Sequence, residues 1–225
     1  MITTEELQVV ALSLQVAAVG TLLALPFALW IGWFLAKSSL PGKALLDTLV
    51  SFPLVLPPVA TGYVLLLIMG REGPVGKALQ SWFGIDVVFT WVAAALAAGL
   101  VAMPLMVRAI EVAVAGVDPR LEFASRSLGA GRLWAFFTIT APLARRGIIA
   151  AVLLGFARGL GEFGATIVVA GNIPGRTQTI PLFVFNRIQV GDDAAAVRLI
   201  VASMVLALLA LLVHQHLVRR QPART

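Results

Sequence analysis

The chain has 225 residues, of which 60% are hydrophobic and only 12% charged, with a mean hydropathy of +0.96. A soluble domain carries about 25% charged residues, so this chain lacks the polar surface to be one and reads as an all-helical integral membrane protein. Its formal charge of +6 does not point to nucleic acid, because the basic residues fall in separate loops; the absence of cysteine excludes disulfides and thiolate metal sites.

The apolar blocks lack the period-2 alternation of a membrane barrel, so the spans are expected to be helices. Met1 to Glu6 carry no basic stretch, and no cleaved signal peptide is expected. Five segments reach the roughly 20 residues that cross a bilayer. The first covers about 9–36 and contains Pro26, which should kink it. The second covers about 49–69, and Pro53, Pro57 and Pro58 break its start. That break is either a kink braced by neighbours or non-helical backbone lining a pathway, with Thr61 and Tyr63 as nearby polar candidates. Gly70 to Ala78 ends in Gly-Lys, but the glycine spacing is wrong for a phosphate loop and Ala78 stands where a hydroxyl would bind Mg²⁺. No ATP site is expected in this chain.

The third span covers about 87–107, with Pro104 near its end. A polar loop follows, about 111–146, carrying Arg120, Arg126, Arg132, Arg145 and Arg146. Within it the pattern from Pro119 to Phe137 is helical, with Asp118 as N-cap, Pro119 at the first helical position, and Gly129 and Gly131 for a chain reversal. Leu121, Ala124, Leu128 and Phe136 or Phe137 would line one face. Such a helix either lies on anionic lipid or docks on a protein. The fourth span, about 147–170, holds Gly155, Gly159, Gly161 and Gly164 at spacings that let helices approach closely. It also holds Arg158 and Glu162, each costing about 2.5–3.5 kcal/mol at mid-membrane on insertion scales. At spacing i, i+4 they share a helical face and can pair, either bracing the packing or lining a pathway. The fifth span covers about 199–218 and ends near His214 and His216, two histidines with no third ligand.

With the N-terminus outside, the inner loops hold Lys37, Lys43, Arg108, Arg120, Arg126, Arg132, Arg145, Arg146, Arg219, Arg220 and Arg224. The outer side then holds only Arg71, Lys77, Arg176, Arg187 and Arg198. The excess favours N-out and C-in. No repeat or soluble domain is visible, so residues 1–225 are expected to form one membrane domain.

Glu122-x-Ala124-x4-Gly129, followed by Ile139-x-x-Pro142, resembles the EAA loop of bacterial ABC importer permeases, with Ser125 and Ala141 where the pattern has a second Ala and a Leu. Phe156 to Thr166 is similar to a span of oxyanion importers. Gly171-Asn172-Ile173-Pro174-Gly175, Thr177 to Pro181 and Ser51 to Pro58 resemble the molybdate branch in particular. The resemblance runs over about 10–215. It implies the type I ABC importer permease fold, about five spans and a cytoplasmic coupling helix. It further implies a homodimer in the bacterial inner membrane, two ATPase subunits holding the ATP and Mg²⁺, and an external binding protein delivering molybdate. Sulfate, thiosulfate or tungstate is the alternative cargo. Glu122, Phe123, Ala124, Ser125, Leu128 and Gly129 would couple to the ATPase, and Arg158, Glu162, Thr166, Thr61, Pro57 and Pro58 would form the pathway or gate. A homodimer contact along the glycine-rich span is also implied. A stand-alone secondary transporter would need coupling-ion carboxylates and often inverted repeats; Glu162 is the one clear candidate and no repeat is seen. A purely structural anchor would explain neither the patterned loop nor the buried charges.

Overall fold

Residues 3–38 and 41–219, described by a computed structural model, form eleven α-helices and one π-helical turn. Arg220 and Arg224 of the basic inner tail lie outside the described residues. Thr3 opens α1 (Thr4–Lys37) with a capping box: its hydroxyl accepts the Glu6 N–H at 3.2 Å, and Glu6 Oε2 accepts the Thr3 N–H at 2.8 Å. Thirty-four residues rise about 50 Å, so the ends of α1 project beyond a hydrocarbon core of about 30 Å.

α1 crosses α5 (Trp91–Ala115) where two glycines face each other. A Cβ on Gly20 would stand 2.4 Å from the Ala95 carbonyl oxygen, and one on Gly99 would stand 2.4 Å from the Gly20 oxygen. The small alanines in the first half of α5, Ala93 to Ala95, Ala97, Ala98 and Ala102, continue this close approach and are buried. Leu35, Met106, Ile110 and Val114 fill one core cluster, and Val16, Val101 and Val169 belong to another. α5 begins at Trp91 rather than near 87, because Phe89 adopts φ 60° and gives its N–H to the Val169 oxygen before Thr90 caps the helix. It runs past 107 to Ala115 because Arg108 does not end it: the guanidinium pairs with Asp47 at 2.7 Å and with Glu111 at 3.1 Å.

The second span is two helices, α2 (Lys43–Val55) and α3 (Pro58–Met69), bent by 110° at Leu56-Pro57. Among the described residues, four helices are long and apolar enough to cross a membrane, or five spans with the bent pair counted as one. α4 (Pro74–Phe83), a short helix absent from the sequence reading, follows. Gly73 and Gly76 let its start approach α3; a Cβ on Gly76 would meet the Gly70 oxygen at 1.9 Å. After α5 come α6 (Pro119–Ser127), α7 (Arg132–Ala135), a π-turn (Phe136–Thr140) and α8 (Ala141–Leu160). The helix stops there and restarts as α9 (Gly164–Val169), so the expected single span at 147–170 is broken. A second short helix, α10 (Ile180–Gln189), precedes α11 (Asp193–Arg219).

The two ends of α1 separate the charges. At its first turn Glu5 pairs with Arg187 at 2.8 Å and the buried Glu6 with Arg198 at 2.7 Å. At its last turn stand Lys37 and, nearby, the Arg108 network. Residues assigned to opposite membrane faces thus sit at opposite ends of one helix.

Candidate functional site

α6 is built from local signals. Asp118 Oδ1 accepts the Arg120 N–H at 3.0 Å, and Pro119 occupies the first helical position. At the other end the Gly129 N–H bonds the Arg126 oxygen at 3.0 Å and the Ala130 N–H bonds the Ser125 oxygen at 3.2 Å. This is a Schellman closure, and Gly129 supplies its positive φ of 92°. A Cβ there would meet nothing within 4 Å, so the requirement is conformational.

No residue of α6 is buried. Leu128 is 90% exposed, Phe123 66%, and Leu121 and Ala124 are exposed as well. The expected apolar face therefore does not pack against this chain; of the residues proposed to line it, only Phe136, from the π-turn, is buried. The helix reaches the bundle through Glu122. Its carboxylate lies 3.1 Å from Lys37 Nζ, and its Oε1 accepts a hydrogen bond from the Thr140 hydroxyl. Lys37 ends α1 and Thr140 ends the π-turn, so one side chain ties α6 to both. Sequence reasoning missed Thr140 because nothing local marks a partner that far along the chain.

The second cluster forms where α8 breaks. Arg158 Nη1 lies 2.8 Å from Glu162 Oε2, as the spacing suggested, but Glu162 stands beyond the helix end rather than on its face. Gly159 and Gly161 weaken the helix here, and Glu162 Oε1 accepts the Ala165 N–H at 2.8 Å. The carboxylate therefore holds Arg158 with one oxygen and α9 with the other. Glu162 is buried and Arg158 is part-exposed. α3 packs against α9: a Cβ on Gly62 would stand 2.6 Å from the Ala165 oxygen, and one on Gly164 would stand 2.8 Å from Pro58 Cβ. The two broken spans thus meet, setting the helix that carries Pro58 and Thr61 against the one that carries Thr166 and begins just after Glu162; Pro57 sits exposed at the bend. Thr61 and Thr166 are buried, and the Thr61 hydroxyl has no hydrogen-bond partner among the described residues. Tyr63 is 55% exposed and does not join them.

Three of the four glycines pack inside the chain: Gly155 against Met106, Gly159 against Ala17 and Ala98, and Gly164 against Pro58. The close approach read from their spacing is therefore used within one chain. His214 turns Nδ1 to the Ala150 oxygen at 2.9 Å.

The family described as the inner membrane component of binding-protein-dependent transport systems matches residues 24–221. The molybdenum transport system permease protein ModB of Escherichia coli (strain K12) is 50% identical over 220 residues, covering 97% of this chain and 96% of that protein. The sulfate transport system permease protein CysT of Salmonella typhimurium is 36% identical over 203 residues, covering 89% of this chain and 72% of that protein. Among solved structures, an inward-facing MetNI methionine ABC transporter superposes with a TM-score of 0.71 at 15% identity, over 96% of both chains. That last likeness concerns the fold alone.

Proposed function

From the premise that the chain belongs to the family of binding-protein-dependent transport system inner membrane components, we propose that it is the membrane-spanning subunit of an ATP-driven importer for molybdate. The choice of molybdate rests on 50% identity to a molybdenum permease against 36% to a sulfate permease. The observation that carries the mechanism is α6: a capped helix with no buried residue, held to the bundle by Glu122.

A cytoplasmic ATPase grips α6 through Leu121, Phe123, Ala124, Ser125 and Leu128, with Gly129 fixing the turn that presents them. Closure of two ATPase subunits then moves α6 in each of two copies of this chain. Glu122 passes that motion to Lys37 on α1 and to Thr140 on the π-turn. Single π-turns recur at functional sites, and this one leads into α8 and the break at Arg158 and Glu162. There Pro57, Pro58, Thr61 and Thr166 line or gate the path. Arg158 is neutralised by Glu162, so it attracts an oxyanion weakly, as suits a path that must release its cargo. The N-terminus faces outward, where an external binding protein delivers the anion, and the C-terminus faces the cytoplasm. Residues 1–225 act as one domain, and the chain performs no chemistry itself.

The test is uptake of radiolabelled molybdate by cells lacking their own permease and expressing this chain with its ATPase and binding protein. Uptake should depend on ATP and resist a large excess of sulfate. Uptake of sulfate with none of molybdate would overturn the assignment.

A further inference from the structure

A cavity of about 630 Å³ lies between the last turns of α1, the end of α5, α6 and the start of the π-turn. Trp33 and Phe136 form its apolar wall, with ring centroids 5.4 Å apart. Lys37, Arg126 and Arg132 bring three cations to it, and Glu122 brings one carboxylate. Lys37 and Glu122 neutralise each other at 3.1 Å. Arg126 and Arg132 form no ion pair among the described residues, and both are exposed. The same two guanidiniums also line a neighbouring cavity of about 400 Å³ between α6 and α7. Two unpaired arginines on one opening form a fork-shaped donor set suited to a phosphodiester.

Depth selects the ligand. Trp33 and Lys37 sit in the closing turns of a spanning helix, the level at which indole rings and snorkelling lysines meet lipid headgroups. The pocket is thus apolar on its membrane side and cationic on its aqueous side. Of the exposed apolar residues of α6, Phe123 borders the pocket, whereas Leu121 and Leu128 do not line it. We propose that this pocket binds one anionic phospholipid, with its phosphate on Arg126 and Arg132 and its glycerol end against Trp33 and Phe136. Basic pockets between spanning helices bind such headgroups by charge and shape. The lipid would fill the space behind α6 and set the resting position of the coupling loop. This goes beyond the transport assignment and does not depend on which anion is carried.

The experiment is native mass spectrometry of the full chain in mild detergent, titrated with dioleoylphosphatidylglycerol or dioleoylphosphatidylcholine. The wild type should retain one phosphatidylglycerol at roughly tenfold lower concentration than phosphatidylcholine. The double variant Arg126→Gln/Arg132→Gln should lose that preference, Arg126→Lys/Arg132→Lys should keep part of it, and Arg176→Gln at the other end should keep it all. Equal retention of both lipids, an unchanged preference in the Gln double variant, or displacement of the lipid by millimolar inorganic phosphate would each overturn the proposal. So would a Gln double variant that keeps its lipid but no longer co-purifies an ATPase, since the arginines would then serve the protein partner.

Discussion

The loop at α6 and the break between α8 and α9 both interrupt long apolar helices, yet they are held in opposite ways. At the break the charges are paired inside the chain and the helices are packed: Glu162 serves Arg158 and Ala165, and Gly62 and Gly164 bring α3 against α9. At the loop the caps are complete but the apolar side chains are not covered, and the Glu122 carboxylate connects the helix to its neighbours. A segment that packs its own residues resists being moved separately. One that leaves Leu128 and Phe123 in the open is shaped for something outside to hold. The contrast assigns the grip to α6 and the response to the break.

The largest expected effect comes from wedging apart the bundle that joins the two regions. Gly20→Leu would drive a side chain into the Ala95 carbonyl, with an expected cost of roughly 3 kcal/mol. The protein should then be lost from the membrane or melt far lower in a detergent thermal scan. Next is the break itself: Glu162→Ala strands a guanidinium and an N–H, and should cost roughly 1–3 kcal/mol and abolish uptake. A charge-swapped Arg158→Glu/Glu162→Arg pair should regain some uptake but not all, because the Ala165 N–H loses its acceptor. Wild-type uptake in both Arg158→Ala and Glu162→Ala would remove the pathway role. At the loop, Gly129→Ala should cost only about 1 kcal/mol for its positive φ and lower uptake in proportion to lost ATPase contact, read by co-purification. Lys37→Met and Thr140→Val should each change stability by less than about 1 kcal/mol while lowering the uptake obtained per ATP hydrolysed; unchanged coupling in the double variant would mean that Glu122 does not carry the motion. The smallest effect is expected at Arg71, whose exposed pair with Asp86 lies in neither region; Arg71→Ala should transport as the wild type does.

The same contrast explains what could be read from the residues in advance. Asp118, Pro119 and Gly129 announce α6 because caps are local chemistry, and Pro57-Pro58 announces the bend between α2 and α3 for the same reason. The break after Leu160 carries no proline. Its glycines read equally well as a packing stripe, and three of them do pack, so the interruption was hidden behind a correct reading. The length of α5 is not legible because Arg108 looks like a loop charge until Asp47 and Glu111 are seen beside it. α4 and α10 are too short to stand out as apolar spans, although Pro74 and Pro181 open them and Gly84, at φ 65°, closes the first. The link from Glu122 to Lys37 and Thr140 joins distant segments, and no local pattern encodes it.

The most direct test places one variant from each region side by side. Gly129→Asp and Arg158→Ala would be expressed with the partner subunits, and each assayed for membrane level, for co-purified ATPase and for ATP-driven molybdate uptake. Both should reach the membrane and neither should transport, but only Gly129→Asp should lose the ATPase. If Gly129→Asp retains both the ATPase and full uptake, α6 is not the grip and the account fails at its centre.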